Sequence, residues 1–371
     1  MATEIVPDER ALRIGRRERA FAQMEAHDLD VLVLGRQANV RYFSGAPQLW
    51  VAGTRPFGPI CTVVRSRRDI HLNSTWDEGM PDDIPHDHLY GLAWNPMTLI
   101  EVLKTIPGAS TARRVGTDAL TPSFANLLPL AFPNAEFVDG ELAMRTARRI
   151  KTPQEVIALR GALQVAEESL AAAVGALAVG ATEKDLTAIL LEAQAAGGVS
   201  TPATQDGAWI TSRRAGGPIE SGDLVALSAG VLRDGYVGEV GRTWPVGEVD
   251  PSALYDRWNT LWDKLAAACQ PGRHAVDLLT AYDDAGEPLP PMPVAHGLGL
   301  GFDPPVVVPQ LQATAAQEIL EPGMVLSVTG YVSQDGLGAV FGREAVLITP
   351  DGPELLTSSP SWSSRAGAAI S

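Results

Sequence analysis

The spacing of apolar positions changes several times along the chain, and each change predicts an element. Residues 9–27 carry apolar positions at helical intervals and read as an amphipathic helix, and 30–35 is a short apolar run closed by Gly35, a buried strand. Residues 60–64 and 69–73 are β-rich runs on either side of a polar Ser66-Arg67-Arg68-Asp69 turn, which predicts a hairpin. Up to about Asp139, short strands alternate with helical patches and many prolines. Beyond residue 150 the pattern lengthens. Thr152-Pro153-Gln154-Glu155 is a capping box with proline at the first helical position. Behind it Val156, Leu159, Leu163, Ala166, Leu170, Val174 and Leu177 recur every three or four residues, one stripe of a long helix with Gly180 as its stop. Thr182 opens a second helix that runs to Gly197-Gly198. Residues 223–229 and 236–241 read as strands about an Asp234-Gly235 turn, 252–269 as a Trp-bearing helix, and 324–330 and 344–349 as strands.

Helices mixed with antiparallel strands make α+β the expected class. The length of 371 residues fits two domains. We place them at 1–147 and 148–358, with 359–371 a loose Ser/Ala-rich tail. A hydrophobic content of 45% excludes a disordered chain, and the net charge of −15 argues against nucleic acid as a partner, because phosphate binding needs a basic face. Cys61 and Cys269 lie far apart with no CxxC, which excludes a disulfide framework and a zinc finger. The first residues lack a hydrophobic signal core, and no apolar run approaches about 18 residues, so no membrane partner and a cytoplasmic location are expected.

Six segments follow one another in the order of a known family: ANVRYFSG (38–45), RRIKTPQEVIALRGA (148–162), GDLVALSAGVLRDGYVGEVGRTW (222–244), AHGLGLGFDPP (295–305), LEPGMVLSV (320–328) and REAVLIT (343–349). The chain resembles the pita-bread family of aminopeptidase P, prolidase, methionine aminopeptidase and creatinase. The resemblance implies a pita-bread C-terminal domain behind a smaller, mixed α/β creatinase-like N-terminal domain. It also implies a homodimer acting on a small molecule. Active peptidases of the family hold two divalent metals with two Asp, one His and two Glu. The matching positions here are Ser228, Glu239, His296, Thr329 and, for the last glutamate, Arg343 without a gap or Glu344 with a one-residue gap; we favour Glu344. Two ions need about four carboxylates for balance and this chain offers at most two, so no metal and no other cofactor is expected. A further family histidine has no counterpart in 204–225, where Arg213 and Arg214 stand instead.

The remaining chemistry rests on few side chains. His296 can move a proton near neutral pH. Burial is expected to raise the pKa of Glu239 and suit it to acid work; Glu239 and Glu344 would hold a cationic or hydrogen-donating group. Arg343 and Arg242 could fork onto a substrate carboxylate, although Arg242 could equally be the structural partner of Glu239, and Glu344 could simply pair with Arg343. Arg213 and Arg214 are either a solvated loop pair or contacts to an anionic substrate. Ser228 has no nucleophile elbow around it and reads as a small neutral replacement. His86-Asp87-His88 reads as a polar loop, HGLGLG lacks the context of a phosphate loop, and Trp258 with Trp262 reads as core or interface. Creatinase, which cleaves a carbon–nitrogen bond without metal, is the precedent. We therefore expect a metal-independent acid–base enzyme on an amino-acid-like or amidine-like molecule, working by hydrolysis, elimination or cyclisation. The alternatives are a binding module on the same fold and a proline-directed peptidase retaining one ion.

Overall fold

The Asp8 side chain accepts a hydrogen bond from the Ala11 amide and so starts α1 (Glu9–Ala26). The structure, a computed structural model, describes residues 4–47, 61–73, 79–91, 95–118, 121–199, 201–204, 207–213 and 217–362. Contacts divide the chain into Asp8–Arg148 and a larger unit that starts at Arg149 and takes in the residues before Asp8. No helix among the described residues is long and apolar enough to cross a membrane.

In the first unit α1 is followed by β1 (Val31–Leu34), α2 (Gln37–Ser44), β2 (Cys61–Val64), β3 (Asp69–Asn73), β4 (Leu89–Tyr90), α3 (Pro96–Thr105), β5 (Arg114–Thr117), α4 (Pro122–Leu127), β6 (Glu136–Asp139) and α5 (Glu141–Arg149). The strands form one mixed sheet in the order β4-β3-β2-β1-β5-β6. All four residues of β1 are buried, as its unbroken apolar run requires of a strand covered on both faces. The β2–β3 hairpin forms as expected, with Arg68 at positive φ in its turn. Val31, Val33, Leu99, Leu103, Val115 and Phe124 build the core against α3 and α4.

The second unit contains α6 (Pro153–Gly175), α7 (Glu183–Ala196), β7 (Ala208–Ile210), β8 (Leu224–Arg233), β9 (Tyr236–Pro245), α8 (Ser252–Ala268), α9 (Asp277–Ala285), β10 (Ala295–Gly299), β11 (Gly301–Val307), β12 (Val325–Gln334), β13 (Gly338–Thr349) and β14 (Gly352–Leu355). The capping box forms in both directions: Thr152 Oγ1 accepts from the Glu155 amide, and Glu155 Oε2 accepts from the Thr152 amide. Leu159, Leu163, Ala166 and Leu170 are buried along α6. The helix stops at Gly175, five residues short of the expected Gly180. Its last amides close onto Ala173 and Val174, while Gly180 takes a positive φ in the next turn and its amide bonds Ile219 O.

The strands run in the order β11-β10-β12-β13-β9-β8-β7, with β14 beside β13. The β8–β9 hairpin turns at Asp234-Gly235, both at positive φ, the backbone that an Asp-Gly pair tolerates. Helices α6 and α8 lie on one face of this sheet. A Cβ on Gly238 would meet the backbone of Ala162 in α6 at 2.5 Å, and one on Gly342 would meet the Trp258 indole of α8 at 2.3 Å. Trp258 is thus core, as expected, donating to Gly330 O and stacking on Trp262. The described part of the tail is docked: Ser358 and Ser359 amides bond Glu167, Ser359 O accepts from Arg242, and the Trp362 ring lies 4.7 Å from that of Tyr255. The expectation of a loose tail is corrected for 359–362; 363–371 lie outside the described residues.

Candidate functional site

Strand register decides which side chains meet. Ser228 pairs with Gly241, Arg343 pairs with both Gly241 and Thr329, and His296 pairs with Ser327. Side chains alternate between faces along a strand. Glu239 is two residues from Gly241, and Ser327 two from Thr329. Ser228, Glu239, His296, Ser327, Thr329 and Arg343 therefore share one face, opposite α6 and α8.

Glu239 is the centre of the group and is completely buried. Its Oε2 accepts from Ser327 Oγ at 2.9 Å and lies 3.2 Å from His296 Nε2, an ion-pair distance when the ring is protonated. Arg343 Nη1 is 3.7 Å from the same oxygen. Glu239 Oε1 has no hydrogen-bond partner and is a buried acceptor. Arg343 reaches across the site: Nη1 donates to Ser228 Oγ at 3.3 Å and Nε to Thr329 Oγ1 at 3.4 Å. Its guanidinium carbon lies 5.2 Å from the centre of the Phe341 ring, an added cation–π restraint. Phe341 has room because Gly241 lacks a side chain; a Cβ there would meet the ring at 2.2 Å.

The expected rise in the Glu239 pKa is corrected. Burial pushes it up, but the His296 hydrogen bond and charge, the Arg343 charge and the Ser327 hydroxyl outweigh burial, and the pKa lies below the ordinary value of 4.5. These partners favour the ionised form of Glu239. A depressed folded-state pKa gives stability that is present above 4.5 and lost as pH falls through the folded value. We predict that wild-type protein loses unfolding free energy on acidification below pH 4.5 and that Glu239→Gln flattens this loss, as read by urea titrations at a series of pH values.

Glu344 and Arg242 are corrected as site residues. Each is one residue along its strand from the site-facing positions, so both point to the other face. There Arg242 Nη2 lies 3.0 Å from Glu344 Oε2, Thr357 also donates to Glu344, and Arg242 further donates to the carbonyls of Gly241, Arg343 and Ser359. Burial outweighs Arg242 and Thr357 and raises the Glu344 pKa. Arg242 is a structural partner, of Glu344 and not of Glu239. Arg213 is likewise corrected: it bonds Asp223 at 3.0 Å and Pro218 O at 2.6 Å, clamping the loop before β8. Arg214 lies outside the described residues.

Sequence reasoning missed Ser327. The available signal was its position two residues before Thr329, on the same face. It also missed the buried Lys151–Asp303 ion pair, 3.2 Å apart with both side chains 1% exposed. Asp303 pairs across from Gly297, so this ion pair fixes the β10–β11 hairpin that carries His296. No sequence signal joins two residues that far apart.

The donors on this face do not fit a pair of divalent ions. Only Glu239 and His296 are ionic-site ligands; Ser228 and Thr329 are neutral, and each already accepts from Arg343. A guanidinium standing among the donors repels a second cation. Among the described residues of this unit, no three His, Cys, Asp or Glu bring ligand atoms within 4.8 Å of one another.

Residues 158–350 match the model of metallopeptidase family M24, and 16–150 match the creatinase/prolidase N-terminal domain. A putative dipeptidase YkvY of Bacillus subtilis (strain 168) is 28% identical over 281 residues, 72% of this chain and 76% of the relative. A creatinase of Bacillus sp. (strain B-0618) is 24% identical over 390 aligned positions, 93% of this chain and 90% of the relative. The crystal structure of the prolidase from Pyrococcus horikoshii OT3 superposes with a TM-score of 0.74 at 20% identity, covering 93% of this chain and 99% of that one. The pita-bread fold and the order of its site-bearing strands are therefore as the six segments implied, and the chain belongs to metallopeptidase family M24, with a creatinase/prolidase N-terminal domain ahead of it.

Proposed function

We propose that this member of the family is a metal-independent acid–base enzyme that acts at a carbon–nitrogen bond of a small amino-acid-like or amidine-like molecule. The observation that carries the reading is Arg343: its guanidinium bonds Ser228 and Thr329 and faces Glu239, supplying one fixed positive charge among positions where the family places metal ligands. His296 carries the proton. Glu239, held ionised by Ser327 and Arg343, orients the imidazole and stabilises the positive charge that forms on it as it accepts that proton. Glu239 Oε1, a buried acceptor, receives an N–H of the substrate. The planar fork of Arg343 suits a substrate carboxylate. Creatinase, a relative over nearly the whole chain, supports carbon–nitrogen cleavage as the class.

The test is a turnover screen on guanidino acids, N-substituted amino acids and Xaa-Pro dipeptides, run with excess chelator and again with added Mn²⁺. We expect turnover that is unchanged by the chelator. Turnover that appears only with Mn²⁺ would overturn the reading in favour of a peptidase retaining an ion.

A further inference from the structure

The first unit brings together three side chains that its sequence order keeps apart. Strand alternation puts Asp69 and His71 on one face of β3. The parallel pairing of β3 with β4, Leu72 to Leu89 and Asn73 to Tyr90, draws His88 in beside them at the edge of the sheet. One ligand atom from each of Asp69, His71 and His88 lies within 4.8 Å of the others. The two imidazoles stack, with centroids 4.1 Å apart and 26° between their planes.

The hydrogen bonds leave the ligand nitrogens available. His88 Nδ1 is 3.1 Å from Ile70 O; a carbonyl only accepts, so Nδ1 carries the hydrogen and Nε2 keeps its lone pair. His71 Nδ1 is 3.2 Å from the Tyr90 hydroxyl. His71 Nε2 is buried with no hydrogen-bond partner, in a residue only 2% exposed. Leaving a buried polar atom unsatisfied is costly, and an ion at Nε2 removes the cost. In metal sites the ring nitrogen away from the metal is commonly held by a carbonyl or another polar group, as both are here. Asp69 bonds Arg67 at 2.6 Å and retains further lone pairs.

We propose that Asp69, His71 and His88 bind one divalent transition-metal ion of the zinc class, tying β4 and the turn before it to β3. Two imidazoles and one carboxylate suit zinc, cobalt or nickel, with water completing the coordination. Ligand atoms on such an ion stand about 3.3 Å apart, given bonds of about 2.0 Å, and those of the cluster already lie within 4.8 Å of one another. His86 and Asp87, the neighbours of His88 in sequence, lie outside the cluster. The site is separate from the proposed reaction and does not depend on it.

Full-length protein stripped with chelator and dialysed is titrated with Zn²⁺ by calorimetry and with Co²⁺ by visible absorption. We expect one equivalent to bind, with absorption bands of a nitrogen- and oxygen-ligated cobalt. His88→Ala, at a half-buried position, abolishes binding; Tyr90→Phe, which removes the hydroxyl that positions His71, weakens it about tenfold. His86→Ala and His296→Gln leave it unchanged. Failure to bind either ion, or binding that survives His88→Ala, overturns the proposal.

Discussion

Replacing His296 by glutamine should lower turnover by about 10²–10⁴-fold, the usual share of a general acid–base group. Glutamine can still donate to Glu239 but cannot carry a proton. The loss should fall on kcat, with KM little changed, because His296 acts on the reacting atoms and not on the substrate's charged ends. The fold should tolerate the change: Glu239 keeps Ser327 and Arg343, and the β10–β11 hairpin keeps the Lys151–Asp303 pair. Steady-state kinetics on a substrate from the screen, beside a thermal melt, separates the two effects. Turnover within a few fold of wild type in a folded variant would remove His296 as the proton carrier.

Removing the other pole of the site should show in stability. Arg343→Met deletes the donor to Ser228 and Thr329 and leaves Glu239, a fully buried carboxylate, without its neighbouring cation. Breaking a buried pair from one side costs about 3–5 kcal/mol, because a charge stays behind without compensation. The side chains are 9% and 0% exposed, so solvent screens little of this. Adding Glu239→Gln to Arg343→Met should recover part of the loss, since the amide no longer needs a cation. Urea unfolding followed by tryptophan fluorescence across the double-mutant cycle gives the coupling directly.

The elements most legible in the sequence are those whose causes are local. The capping box at Thr152, the Asp234-Gly235 turn and the apolar run of β1 each contain their own explanation, and each formed. The end of α6 was less legible because Gly180 is a turn residue whose amide bonds Ile219, a contact that spacing along a helix does not reveal. Within the candidate site, the order of motifs singled out Ser228, Glu239, His296, Thr329 and Arg343, and strand register places these side chains on one face. Glu344 and Arg242 went to the wrong face for a single reason. In a strand, an uncertainty of one residue exchanges the two sides of the sheet. Choosing the carboxylate over the adjacent arginine followed the family's chemistry, whereas the register followed this chain's own. The sign of the Glu239 shift was missed for a related cause: burial was foreseeable, but the partners that outweigh it come from β10, β12 and β13.

In the proposed function Arg343 takes the place that metal holds in the family's peptidases. The most direct test is a Mn²⁺ titration by calorimetry, made in the His88→Ala background so that the N-terminal cluster is silent. The account predicts no stoichiometric binding. Binding of one or two ions per chain that disappears on His296→Ala would contradict it.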